Sequence, residues 1–283
     1  MKYIASCSFG KDSLAMVLRI LEENLPLDEV IFFDTGMEFD SIYHNRDRAK
    51  RLLAERKILF SELSSKNHFL FDMFVRPVKY RAPQSKPYPI HYGYEWCGAR
   101  GIRWGTSGKL SAITNHYKEY YPGEEITEYV GIAVDEPGRL NNNPRSGIIK
   151  NYPLVTWNMT EKDCLKYCYD RGWDWNENGV ELYSVLDRVS CWCCQNKNLK
   201  ELKNIYMYLP EYWQRLRGLQ SRIDSLLCEV QPGPPEGFQG TQPVGQRHRG
   251  AQSGRRGILP LCRFRWLSGA GEFRPAGELP EKR

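Results

Sequence analysis

The 283-residue sequence lacks several features, and each shortage removes a class of protein. No apolar run approaches the roughly 18–20 residues that cross a bilayer, so no membrane partner is expected. Met1-Lys2-Tyr3-Ile4 passes straight into a strand-like run, with no room for a secretory hydrophobic core, and a cytoplasmic location is expected. Surplus charge is also scarce where it would matter. The net charge is +6, but residues 229–283 hold nine Lys+Arg against five Asp+Glu, a balance of +4. That leaves +2 for residues 1–228, too little to indicate a polyanion-binding face. Nucleic acid stays an open partner on this basis. A Walker A loop is missing too: G-x-x-x-x-G-K-(S/T) fails because Asp12 follows Gly10-Lys11 and Ala5 stands five positions before Gly10.

Cysteine, by contrast, is plentiful. Nine are many for a reducing compartment, where clustered thiols point to metal or redox chemistry. Cys7, Cys164, Cys168 and Cys228 are scattered through element-like runs and read as small buried hydrophobes, while Cys262 lies in the tail. Cys97 in "YEWCGARGIRW" and Cys191, Cys193 and Cys194 in "RVSCWCCQNKN" form the other group. Cys191 and Cys194 have the C-x-x-C spacing at which two thiolates hold one tetrahedral metal. Neighbouring side chains diverge, so Cys193 joins them only if the backbone is tightly turned. Zinc, an iron–sulfur cluster and metal-free thiols all remain open. Trp96 and Trp192 read as shields for the group.

Hydrophobic periodicity lays out the fold. Residues 2–7 read as a strand, and Leu14, Val17, Leu18 and Leu21 recur on one helical face. "EVIFFDTG" is a continuously apolar strand, "SIYHNRDRAKRLLAERK" a helix and "ILFSEL" a third strand. Strand–helix–strand–helix–strand predicts a doubly wound α/β fold, a mainly parallel sheet with flanking helices. Residues 64–95 read as loop, 99–120 as a helix, "ITEYVGIAV" as a strand and "LNNNPRSG" as an exposed turn. "NMTEKDCLKYCYDRG" has a capping-box start at Thr160 and a glycine stop at Gly172. The helical C-terminal part, "LKELKNIYMYLPEYWQRLRGLQSRIDSLL", breaks at Pro210. After that the composition changes: residues 229–283 hold ten Gly, seven Pro, eight Arg and one Lys. Two units are therefore expected, an α/β domain over 1–228 and a disordered, foreign-looking tail over 229–283.

"SFGKDS" at 8–13 keeps the ingredients of a phosphate cradle despite failing Walker A. A strand end, a Gly turn and a helix start would aim backbone N–H groups and the helix dipole at an anion, with Ser8 and Ser13 as hydroxyl donors and Lys11 as a point charge. The 8–13 loop and Asp34-Thr35-Gly36 both lie at carboxyl ends of strands, where ligands bind in such sheets.

These stretches resemble a known family. "SFGKDS" is similar to the PP-loop, S-G-G-x-D-S, of the adenine-nucleotide alpha-hydrolase-like superfamily. "FFDTGMEFDSIY" resembles the D-T-G-x-x-(F/Y)-x-x-(T/S)-Y segment of its phosphoadenosine phosphosulfate (PAPS) reductase branch, and "GIAVDEPGR" and "YPLVTWNMTEKDCLKYC" resemble later segments of the same branch. The resemblance covers residues 1–228 and implies an adenine nucleotide, ATP or PAPS, as ligand or substrate, with Mg2+ bridging its phosphates. By position, Ser8, Gly10, Lys11, Asp12 and Ser13 would hold phosphate or sulfate, with Lys11 and Asp12 catalytic. Asp34, Thr35 and Gly36 would lie near the adenosine, and Arg139 on the far lip. The family also implies that Cys97 meets Cys191 and Cys194, with Arg188 before them. Phe9 stands where the PP-loop has its first Gly, and Ala133 where the family has Arg.

The activity implied is activation at the α-phosphate, with pyrophosphate release, for sulfur-linked or other group transfer. One alternative is true sulfonucleotide reduction with a thiol donor, yet its E-C-G-(I/L)-H segment is absent. Others are a nucleotide-dependent component of a nucleic-acid modification or defence system, in which the C-terminal helices dock a protein partner, and a silent binding module.

Overall fold

The computed structural model describes residues 1–80, 90–97, 103–140 and 148–229, with side chains through 223. In chain order the elements are β1 (Lys2–Ser6), α1 (Lys11–Glu22), β2 (Glu29–Asp34), α2 (Asp40–Glu55), β3 (Leu59–Ser64), α3 (Phe69–Phe74), β4 (Pro77–Lys79) and β5 (Ile90–Tyr92). Then come α4 (Trp104–Tyr120), β6 (Ile126–Val130), β7 (Ile148–Asn151), α5 (Pro153–Thr156), α6 (Glu161–Tyr169), β8 (Asn176–Glu177), β9 (Val180–Glu181), α7 (Leu182–Val185), α8 (Leu199–Tyr208) and α9 (Pro210–Glu229). Five strands form one parallel sheet in the order β3-β2-β1-β6-β7. β4–β5 and β8–β9 are small antiparallel hairpins.

Both faces of the sheet are covered, as the unbroken apolar run of β2 requires. Ile4, Ile31 and Ile126 pack with Ile113 and Tyr117 of α4 on one face. Ala5, Val30 and Phe32 alternate with them and join the larger core with α1, α2 and α6. Cys7, Cys164 and Cys168 lie buried in that core. Burial pushes the Cys7 thiol up to about 11, so it is a protonated packing group at neutral pH. The Thr160–Asp163 capping box starts α6, and Gly172, with φ +70°, follows its end.

Two expectations need correction, and one strand has no counterpart in the sequence reading. Residues 64–95 are not all loop: α3 and the β4–β5 hairpin occupy part of that stretch. They were invisible as periodicity because each is only three to six residues long. The strand read through "ITEYVGIAV" stops at Val130. Gly131 follows, where an added Cβ would come within 2.8 Å of the Ser13 Cα, so the strand end can pass the start of α1 only as glycine. The β7 edge strand was missed; its four residues alternate in burial between half-exposed and exposed. The "LNNNPRSG" turn, apart from Leu140, and the tail beyond 229 lie outside the described residues. Among the described residues, no helix is long and apolar enough to cross a membrane.

Candidate functional site

The loop after β1 turns on Phe9. Its φ of +57° is the left-handed conformation that a glycine would adopt freely. The side chain, fully buried, points away from the loop into the core, with its ring centroid 5.3 Å from Phe32 and 6.1 Å from Phe60. Its carbonyl accepts a 2.8 Å hydrogen bond from Trp175 Nε1. The substitution for glycine therefore keeps the turn and adds an anchor.

Gly10 is the N-cap of α1 without a side-chain cap, so the first helical amides lack an internal partner. Ser13 Oγ accepts from Ser8 N at 3.1 Å and lies 3.2 Å from Ser8 Oγ. Tyr183 Oη already accepts the Lys11 amide, at 2.8 Å. A cavity of about 200 Å³ opens over this loop, bounded by Ser8, Gly10, Lys11, Asp12 and Ser13 on one side and by Gly131, Arg139, Tyr183 and Arg188 on the other. Arg139, which the resemblance would put on the far lip, lines this cavity.

The cavity neutralises itself. Lys11 Nζ is 2.5 Å from Glu161 Oε2 and 3.2 Å from Asp12 Oδ2, while Arg139 and Arg188 both pair with Glu136. Burial works against the Lys11 charge, but Asp12 and Glu161 outweigh it and hold the ammonium above its ordinary range. Asp12 is less well compensated: burial exceeds the pull of Lys11 and lifts its carboxyl to about 6. Its Oδ1 is buried without a hydrogen-bond partner. A phosphate entering here would take the place of carboxylates on Lys11, Arg139 and Arg188. Glu136, Glu161 and Tyr183 were not singled out as site residues, and Arg188 was noted only for its spacing from Cys191. Glu136 and Glu161 lie within the family-like segments "GIAVDEPGR" and "YPLVTWNMTEKDCLKYC", which offered a signal for them, whereas Tyr183 carries no local motif.

Asp34, Thr35 and Gly36 line a second cavity, of about 160 Å³, with Ser64, His68 and Trp104. It shares no lining residue with the first. The polar side chains of this turn are largely spent on its own shape. Asp34 Oδ1 accepts from the Gly36 amide (2.7 Å) and Tyr43 Oη (2.8 Å), and Thr35 donates to Glu38 Oε1 (2.7 Å). Gly36 holds φ +71°. Ala133, at the family's Arg position, is fully buried and offers no anion contact.

The cysteine turn adjoins both cavities. Cys194 N donates to Cys191 O at 2.9 Å, the tight turn that brings neighbouring sulfurs together, and Trp192 N donates to Met37 O beside the 34–36 turn. Hydrogen bonding with Cys193 raises the Cys191 thiol well above its ordinary value, and Cys191 does the same to Cys194. Cys97 Sγ accepts from the Gly105 amide (3.3 Å) at the start of α4, and its thiol feels Cys194 as a neighbouring charge. Burial is the larger effect and raises its pKa. Half-buried Glu38, lifted by desolvation to about 7, faces the same cysteine and Lys109. Trp96 and Trp192 are buried, as expected of shields. The thiol donor set suits zinc or an iron–sulfur cluster. As positioned, however, no three His, Cys, Asp or Glu side chains among the described residues form a metal-holding group.

Residues 2–72 match the family model of the phosphoadenosine phosphosulfate reductase domain. Among solved structures, the chain is similar to the U34-tRNA thiolase NcsA from Methanococcus maripaludis with its 4Fe-4S cluster. That likeness has a TM-score of 0.42 and 12% identity, over 85% of this chain and 76% of that one. No curated protein sequence matches. The 8–13 loop, the 34–36 turn and the first three strands all fall within residues 2–72, the part of the chain that matches the phosphoadenosine phosphosulfate reductase domain.

Proposed function

We propose that the chain binds MgATP or an adenylyl sulfate, with the phosphates over the 8–13 loop and the adenosine toward the 34–36 turn, and acts at the α-phosphorus. The observation that carries this reading is the cavity at the end of β1, where Ser8, Ser13 and Lys11 face Arg139 and Arg188. With ATP, a nucleophilic atom of the substrate to be activated bonds to the α-phosphorus as the bond to the α–β bridging oxygen breaks, leaving an adenylylated substrate and pyrophosphate, whose charge the magnesium of the substrate complex helps to carry. Lys11 and the two arginines, exchanging Glu161 and Glu136 for phosphate oxygens, stabilise the rest. Asp12 stands beside the transferred group with one oxygen free to accept a hydrogen bond.

Activation for sulfur-linked or other group transfer is preferred over true sulfonucleotide reduction, because no E-C-G-(I/L)-H segment exists to supply the nucleophile. Cys97, Cys191 and Cys194, with Cys193 beside them, would hold zinc or an iron–sulfur cluster, which would supply a thiophilic or redox centre next to the nucleotide. The seven cysteines with described side chains are free thiols, the state in which such a centre would be loaded.

The test is product analysis on the full-length protein with MgATP. Pyrophosphate is the expected product, and Asp12→Ala should slow its release by about a hundredfold or more. Orthophosphate as product, or an unchanged rate in that variant, would overturn the reading. Sulfite released from an adenylyl sulfate in the presence of a thiol donor would establish the reductase instead.

A further inference from the structure

Beyond the two cavities at the ends of β1 and β2 lies a larger one, of about 590 Å³, at the end of β3 between α3 and α4. It adjoins the adenosine-side cavity: Ser64, Ser65, Asn67, Asp72 and Trp104 line both. Its volume is that of a pocket for a whole small ligand, and neither the loop nor the cysteine turn uses it.

Three kinds of group converge there. Lys66, Arg76 and Arg103 bring three positive charges against one carboxylate, Asp72. That carboxylate is already committed, accepting from Arg76 Nε at 2.7 Å and from Asn67 Nδ2 at 3.2 Å. Four serines and two asparagines supply short neutral donors and acceptors. Tyr94 and Trp104 add an aromatic surface, their rings 24° from parallel with centroids 6.3 Å apart, and Arg76 lies 5.5 Å over Tyr94. Trp104 Nε1 is buried without a hydrogen-bond partner, although an indole N–H normally has one. An anionic ligand without a ring would use the cations and leave the aromatic surface idle. A planar apolar ligand would leave the serines, asparagines and cations unpaired. A phosphorylated nucleoside uses all three: phosphate on the cations, sugar and base edges on the short polar groups, and the base face on the rings.

We propose that this β3-end groove binds a second nucleotide unit, separate from the one assigned to the 8–13 loop. The unit is either a free mononucleotide or an unpaired residue of a single strand. Its position places it alongside the adenosine end of the first ligand, so the two would occupy one continuous edge of the sheet.

Fluorescence anisotropy of a labelled single-stranded uridine decamer, with full-length protein and saturating ATP, tests the groove. The variants are Ser111→Trp, which fills the groove from an exposed position on α4, and Lys66→Glu, which reverses an exposed rim charge. Thermal melting checks that both remain folded. Each should weaken the decamer by about tenfold or more, the scale of one lost base-stacking or phosphate contact. Asp12→Ala, which disables the loop cavity, should leave decamer binding in place. If unlabelled AMP displaces the decamer at comparable concentration, the ligand is a free nucleotide; if only oligonucleotides displace it, the ligand is a strand. No binding of either probe, or binding that both groove variants leave unchanged, would overturn the proposal. Decamer binding lost in Asp12→Ala alone would place the strand at the loop and overturn the groove equally. Retained groove binding without any ATP-dependent pyrophosphate release would separate this site's survival from failure of the first assignment.

Discussion

The turns that end β1 and β2 look alike in the sequence, each a short run of Ser or Thr, Gly and Asp at a strand's carboxyl end, yet they use those residues in opposite ways. After β2, Asp34 and Thr35 turn inward to the Gly36 amide, Tyr43 and Glu38, and mainly the shape of the turn is offered to the cavity. After β1, the backbone shape is secured from outside by the buried Phe9 ring and by Trp175, and the polar side chains face the cavity. A motif can therefore be distinctive because its backbone is demanding, or because its side chains meet a ligand. The two cases predict different responses to substitution.

The largest expected effect breaks the anchor of the first turn. Phe9→Gly relieves a left-handed backbone worth about 1 kcal/mol but removes a fully buried ring, so a net loss of about 2–4 kcal/mol is expected in urea unfolding. Nucleotide affinity should not improve. Tighter binding in that variant would mean that Phe9 had been holding the loop away from its ligand.

Next comes pH. Burial keeps the Asp12 carboxyl near 6, above its unfolded value of 3.8, so the folded state retains a proton that the unfolded chain releases. Its contribution is therefore most favourable below pH 4 and is lost as pH rises from about 4 to 6. The difference between wild type and Asp12→Asn should change by about 2–3 kcal/mol across that window. For the same reason, an anionic nucleotide should bind more tightly below pH 6 in the wild type, and the Asn variant should lose that dependence. A flat wild-type profile would show that Lys11 already compensates Asp12 in full.

The smallest effect sharpens the second turn. Tyr43→Phe removes one hydrogen bond to Asp34 and should cost about 1 kcal/mol in stability. Nucleotide affinity should stay within about twofold, because the hydroxyl shapes the turn and is not assigned to the ligand. A tenfold loss of affinity would put Tyr43 in the site and erase the contrast between the turns.

The first three strands, the two helices between them and their parallel order were legible because each element is long and strongly periodic. The Pro210 break between α8 and α9 and the capping box at Thr160 were legible because their chemistry is local. The α3 helix and the β4–β5 hairpin were not, since six- and three-residue elements leave no period to read. At the site, Ser8, Gly10, Lys11, Asp12 and Ser13 were legible in the loop itself and Arg139 only through the family resemblance, and all six line one cavity. Glu136 and Glu161 lie in family-like segments, but their role as partners of Arg188 and Lys11, about 50 and 150 residues away in sequence, is set only by the fold. The position of Phe9 was legible as a departure from glycine, but its consequence depended on where the ring could go, which only the packing decides.

The stretch from Arg188 to Cys194 has a consequence of its own. Arg188, Val189 and Ser190 wall the loop cavity, and the next residues form the thiol turn, pinned by Trp192 to Met37. One short ribbon is thus a party wall between the phosphate chamber and the sulfur chamber. If the proposed nucleotide sits over the first strand, its seat and the thiols share this one stretch of backbone. The occupancy of one chamber should therefore be audible in the other, as a nucleotide-dependent change in thiol reactivity.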